Sequence, residues 1–342
     1  MNAEFLPLLI GSLPLSAVEK AIEAVFSFSP KSPSWPQLPK LSLLEGMNLQ
    51  YLEGIPGWQL SNDKVIFRKS DEIIEEFTAA LDNVLKKNAD FFPITSHHSH
   101  CFLPFLSELE RHNDVKIVKG QVIGPVTFLT SHIIDGYGML IKDEGYKELI
   151  PRILGLKAKY QVERFKSAKP KASYIIFFDE PILSQIGSAV TSINTDDVRE
   201  LITRSTEQLD CYKGIHICGN SDWDFILSLP IDIINFDTFN FGDNFLLYKD
   251  AIAKFVKRGG YIAAGVVPTD SDDLKNADLT GIEEKADTFL EGLGGVIGRK
   301  MLSERVFITP SCGMGALTVQ EADKALNILK SLSERLQKNR NL

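Results

Sequence analysis

No apolar run in this 342-residue chain approaches the ~18 residues that a membrane-crossing helix requires, so no membrane partner is expected. Positive charge is also scarce. The 37 Lys and Arg against 45 Asp and Glu leave a net charge of -8, which gives a nucleic acid nothing to bind. The N-terminus, MNAEFLPLLIGSLPLS, has an acid and no basic stretch, so it does not read as a secretion signal, and a cytoplasmic protein is expected. Cysteine is limited to Cys101, Cys211, Cys218 and Cys312, too few and too scattered for a disulfide framework. No Gly-x-Gly-x-x-Gly follows the first apolar run, which argues against a dinucleotide-binding open sheet. Internal repeats and low-complexity linkers are missing as well, so one domain spanning residues 1–342 is expected.

What is present is an alternation. Short apolar runs occur at 6–11, 91–95, 117–124, 174–181, 214–220, 232–239, 259–268 and 306–313. Several are continuously apolar, the pattern of parallel strands covered on both faces. Amphipathic stretches separate them, among them SAVEKAIEAVFSF, TDDVRELITRSTEQL and VQEADKALNILKSLSERLQKN. Eight strands alternating with helices predict an α/β fold, a single (β/α)8 TIM barrel. Residues 28–70, rich in Pro and aromatics, break the alternation. They predict a long excursion after strand one, over the active-site face or as a structural flap.

In such a barrel the C-terminal strand ends carry the chemistry. Strand five ends in GIHICGN, strand six in FDTF and strand eight in PSCG. His216 and Cys218, two apart, share one face of a strand, Asp237 approaches from the end of the adjacent strand, and Cys312 comes from strand eight across the barrel mouth. One imidazole, two thiolates and one carboxylate suit a tetrahedral Zn2+ and disfavour hard cations. Taken singly, the His is also an ordinary hydrogen-bonding partner and the Asp an ordinary helix N-cap. Cys101, in SHHSHCF, is a spare ligand on the same side, while Cys211 precedes its strand and reads as structural. His97, His98 and His100 form either a second metal cluster or a polar loop.

At these residues the chain resembles the catalytic barrel of cobalamin-independent methionine synthase, within the wider superfamily of uroporphyrinogen decarboxylase and the methylcobamide:coenzyme M methyltransferases. The resemblance is carried, in order, by IGSLP, KGQVIGPVTFL, FFDEPIL, HICGN, IINFDT, GVVPT and TPSCGMG. It implies a zinc-dependent methyltransferase in which His216, Cys218, Asp237 and Cys312 hold the metal and a substrate thiolate attacks a methyl group by SN2. Homocysteine is the implied thiol. Ile10, Gly11 and Ser12 would hold its carboxylate, and Asp179 and Glu180 its ammonium. Two departures stand out: Asp237 replaces the family's Glu, and the segment ITSHHSHCF lacks the family's further substrate-binding acid. A stand-alone core enzyme is expected, with methylcobalamin or a corrinoid protein as donor, docked on a platform in residues 28–70 that includes Trp35 and Trp58. Coenzyme M as the thiol, or a decarboxylase-like barrel, are the alternatives.

Overall fold

A computed structural model describes residues 1–61, 64–186 and 193–339. Its centre is a curled parallel sheet of six strands in sequential order: β1 (Ile117–Ile123), β2 (Ser173–Asp179), β3 (Tyr212–Ile217), β4 (Ile233–Phe236), β5 (Tyr261–Val267) and β6 (Val306–Pro310). Each strand is joined to the next through helices, including Glu144–Ala168, Thr195–Thr206, Leu279–Ile297 and, after β6, Val319–Asn339. Neighbouring parallel strands with helical crossovers are the (β/α)8 arrangement that the alternation predicts.

Two irregular stretches complete the wall. Residues 5–8 run parallel to β6, with Leu8 N donating to Ile308 O at 2.9 Å and Ile308 N to Leu6 O at 3.1 Å. Residues 31–37 lie against β1, where Lys119 N donates to Pro33 O at 3.0 Å. The second wall position is therefore filled from the Pro-rich segment and not by FFPIT (91–95), which carries no strand. Phe92 and Ile94 are instead buried in the helical core, so their apolarity reflects packing. Prolines 30, 33, 36 and 39 remove a ladder donor at every third position, which keeps this stretch from forming a regular strand. Serine hydroxyls substitute: Ser29 and Ser32 donate to Pro7 O at 2.7 and 2.6 Å, and Ser34 to Leu9 O at 3.2 Å.

Trp35, expected as part of a docking platform, is fully buried in this wall, its indole N–H donating to Gln161 Oε1 at 2.8 Å. It offers no surface to a partner. Further along the segment, the Tyr51 hydroxyl donates to Gln121 O at 2.8 Å. A small four-stranded sheet, absent from the sequence expectation, pairs Trp58–Ser61, Lys64–Phe67, Ile133–Ile134 and Gly138–Met139. No helix among the described residues is long and apolar enough to cross a membrane.

The barrel interior is layered. Leu8, Ile117, Ile175, Phe177, Ile233, Ala263 and Phe307 form an apolar layer of their own. One step further along the same strands, the inward positions turn polar: Lys119, Gln121, Asp179, His216, Asn235 and Thr309, all buried. Strand periodicity of two makes these layers, and the polar one faces the C-terminal mouth.

Candidate metal and substrate site

Register sets the site. Asp179 pairs with His216 across β2 and β3, and His216 pairs with Asn235 across β3 and β4, so the three side chains share one row and one face. Cys218 follows at the end of β3, and Cys312 follows β6. Donor atoms of His216, Cys218 and Cys312 all lie within 4.8 Å of one another, the only such group among the described residues. His216 Nε2 is 3.1 Å from Cys218 Sγ, which is 3.2 Å from Cys312 Sγ.

The three donors fit a zinc ion. Tetrahedral zinc with bonds of about 2.0–2.3 Å sets its ligands roughly 3.5–3.8 Å apart, so the group needs to open by about half an ångström. Without a metal the electrostatics favour a single thiolate, on Cys312. Hydrogen bonding from Cys218, then from His216 and the Gly313 N–H, holds the Cys312 thiol well below its ordinary range despite burial. Cys218 moves up in return because it donates to Cys312 and its thiol is partly desolvated, although the residue as a whole is exposed. Burial opposes charge on His216, yet its contacts with Cys312 outweigh this and raise it.

Asp237 stands outside the group. It is the N-cap of the helix Thr238–Leu246: Oδ1 accepts from Asn240 N at 3.0 Å and Oδ2 from the Asn240 side chain at 2.9 Å. An Asp directly before a helix finds the helix's free N–H groups first, and this one is held there. Cys101 is buried apart from the cluster, and burial raises its thiol far above the ordinary value. Cys211 lies at the opposite end of β3, its thiol pushed up to about 12 by burial. His97, His98 and His100 do not converge; His100 Nδ1 instead meets Glu45 Oε1 at 2.7 Å.

The two acids of the D-E-P turn separate. Asp179 is 5% exposed and its Oδ1 has no hydrogen-bond partner. Burial raises its carboxyl to about 6, against the pull of His216 and Lys119. A buried carboxylate oxygen left unpaired at the mouth of a barrel marks a place for a donor. Glu180 points the other way. It is fully buried and accepts from Val126 N at 2.9 Å, Thr127 N at 2.8 Å and Thr127 Oγ1 at 2.7 Å. Its carboxylate is committed to the helix Pro125–Ser131, contrary to the expected substrate role.

The Ile10–Gly11–Ser12 turn comes to the loop that carries Cys312. Ser12 O accepts from Met314 N at 2.9 Å, and Ser12 Oγ accepts from Gly315 N at 3.1 Å, which leaves the hydroxyl hydrogen free to donate. Gly11 is required by close approach, since a Cβ there would sit 2.6 Å from Gln37 Oε1. Two residues of the site were not singled out from sequence. Lys119, fully buried, donates to Ile10 O at 2.6 Å and lies 4.6 Å from the Phe177 ring centroid, and burial pushes its ammonium down to about 7. Asn235 receives His216. Both are polar residues at inward positions of otherwise apolar strands, a signal present in KGQVIG and IINFDT.

Fold and site together define a barrel of the (β/α)8 class whose chemistry is placed at the strand ends by one imidazole, two thiols and a free acid. Residues 105–335 match the model of the cobalamin-independent synthase catalytic domain, more than half of the chain, and the protein belongs to that family. In three dimensions it is similar to a Listeria monocytogenes protein described as a vitamin-B12-independent methionine synthase, with TM-score 0.58 and 16% identity, covering 94% of this chain and 85% of that one. A methyltransferase from Methanosarcina mazei matches with TM-score 0.52 and 14% identity, covering 92% and 86%. At such identities the likeness speaks for the fold. No curated protein matches the chain in sequence.

Proposed function

We propose that the protein is a zinc-dependent thiol methyltransferase that converts homocysteine to methionine. The observation that carries this reading is the convergence of His216, Cys218 and Cys312, with His216 paired across the sheet to an Asp179 whose buried oxygen lacks a partner. A zinc ion held by the three donors would lower the pKa of a substrate thiol and supply its thiolate near neutral pH. The chain's own groups orient the substrate. Asp179 accepts from the α-ammonium, a charge-assisted bond that satisfies its orphaned oxygen. The Ser12 hydroxyl, held by Gly315 N–H, donates to the α-carboxylate. The thiolate then attacks the methyl carbon, forming the C–S bond as the donor–methyl bond breaks. Asp237, engaged by Asn240, is available as a further ligand only if it leaves that cap.

The donor is where family membership bears against the sequence expectation. Relatives described as independent of vitamin B12 give a methyl-corrinoid no support. The test therefore crosses methylcobalamin and a methylated folate with homocysteine and coenzyme M, using zinc-loaded protein. Methionine formation is expected, with coenzyme M a poor acceptor because its sulfonate leaves Asp179 unpaired. Asp179→Asn should raise KM for homocysteine by roughly 10–100-fold while zinc content stays constant. Equal or faster methylation of coenzyme M, or a protein that takes up no zinc, refutes the proposal.

A further inference from the structure

We infer that Asn235 is a positioning residue that fixes the tautomer of His216 and thereby its capacity to bind the metal. The inference rests on the reading above only for the identity of the ion. The argument follows the hydrogens. Thr309 Oγ1 donates its single hydrogen to Pro310 O at 2.8 Å, so towards Asn235 Nδ2, also at 2.8 Å, it can only accept. The second Asn235 amide hydrogen goes to Ala263 O at 2.7 Å. Both amide hydrogens are thus spent, and the group 2.5 Å from His216 Nδ1 is the amide oxygen. An oxygen at that distance requires a hydrogen on Nδ1. In the neutral ring, the form that binds a metal, His216 Nε2 therefore keeps its lone pair, on the side of Cys218 Sγ, 3.1 Å away.

His216, Asn235 and Thr309 are at most 2% exposed, so water does not compete for these bonds. The chain of bonds crosses β3, β4, β5 and β6, tying the strand that bears His216 to the one that leads to Cys312. Without an acceptor at position 235, the opposite tautomer becomes accessible. Its Nε2–H would face the sulfurs and occupy the donor position. Groups that hold the far nitrogen of a metal-binding His commonly change metal affinity by ~10–100-fold when removed.

Asn235→Leu removes the acceptor, Asn235→Asp keeps it, and Thr309→Val removes one of the two groups that hold the amide nitrogen. Two measurements apply to each. Long-range 1H–15N correlation spectra of metal-free protein labelled at histidine, taken where the ring is neutral, read the tautomer. Competition with a chromophoric chelator reads the zinc Kd. The unaltered protein and Asn235→Asp should show Nδ1–H and zinc affinities within a few-fold of each other. Asn235→Leu should shift towards Nε2–H and weaken zinc binding ~10–100-fold, whereas Thr309→Val, with Ala263 O still holding the amide nitrogen, should keep Nδ1–H. If Asn235→Leu does not fold, the tautomer of the unaltered protein decides. Nδ1–H retained in Asn235→Leu or, failing that, Nε2–H in the neutral ring of the unaltered protein overturns the assignment. The tautomer is read without metal or methyl donor, so its result is independent of whether the protein methylates a thiol.

Discussion

Glu180 offers the sharpest test of the structure against the sequence, because the two assign it different work. Gly124 precedes the helix Pro125–Ser131 and has no side chain to cap it; a Cβ there would lie 2.0 Å from the Glu180 carboxyl carbon. Glu180 caps the helix from a distant strand, accepting from the Val126 and Thr127 N–H groups and the Thr127 hydroxyl. The positive end of a helix favours such a carboxylate. Glu180→Ala deletes three hydrogen bonds, leaves three buried donors unsatisfied and opens a cavity. Bonds to a charged acceptor contribute about 1.5–3 kcal/mol each, and the three share one carboxylate, so a net loss of ~3–5 kcal/mol is expected. That is a large part of the usual ~5–15 kcal/mol of folding stability. Burial pushes this carboxyl up to about 7 although the three donors pull it down, so the measurement belongs at pH 8 or above, where it is ionised. Urea unfolding of both proteins, followed by circular dichroism, gives the difference. A midpoint unchanged within error, together with lost homocysteine binding, would refute the capping role and restore Glu180 to the substrate.

Cys218→Ser or Cys312→Ser should abolish tight zinc binding, read as metal per chain after dialysis, because each removes one of three convergent donors. Asp237→Ala should cost ~1 kcal/mol of stability through the lost N-cap and leave zinc content unchanged; metal loss would make it a permanent ligand. Lys157, fully buried with its ammonium 3.2 Å from Pro93 O, is pushed down to about 7 by burial, with Glu53 pulling it up. Its folded pKa lies below the unfolded value of 10.5, so the unfolded chain holds more protons between about pH 7 and 10.5. This group's contribution therefore makes stability rise with pH across that window. Lys157→Met should remove that slope and stabilise the protein at pH 7, as seen in urea midpoints across the range.

Much of the architecture was legible because it is written in local pattern. Continuous apolar runs between amphipathic stretches gave the order of β1 to β6, and the closing helix falls on Val319–Asn339, as its periodicity indicates. The second wall position was not legible. Its prolines argue against a strand, and only the partners on either side, residues 5–8 and β1, show that serine hydroxyls complete the wall. FFPIT misled for the complementary reason, since burial among helices and burial in a sheet leave the same apolar trace.

The site divides along the same line. By itself the sequence determined that His216 and Cys218 sit together at a strand end and that Cys312 follows the last strand, because strand periodicity and strand order fix both. Only the tertiary structure decided what each acid does. Asp179, Glu180 and Asp237 all follow strands and look alike in sequence. Glu180 is claimed by a helix N-terminus 54 residues earlier in the chain, Asp237 by the helix it begins, and Asp179 by neither. The same holds for Asn235, whose bonds reach 19 residues back to His216 and 74 forward to Thr309. A carboxylate or amide takes the partner nearest in space, and spatial proximity between distant segments is set by the closed barrel, not by local sequence.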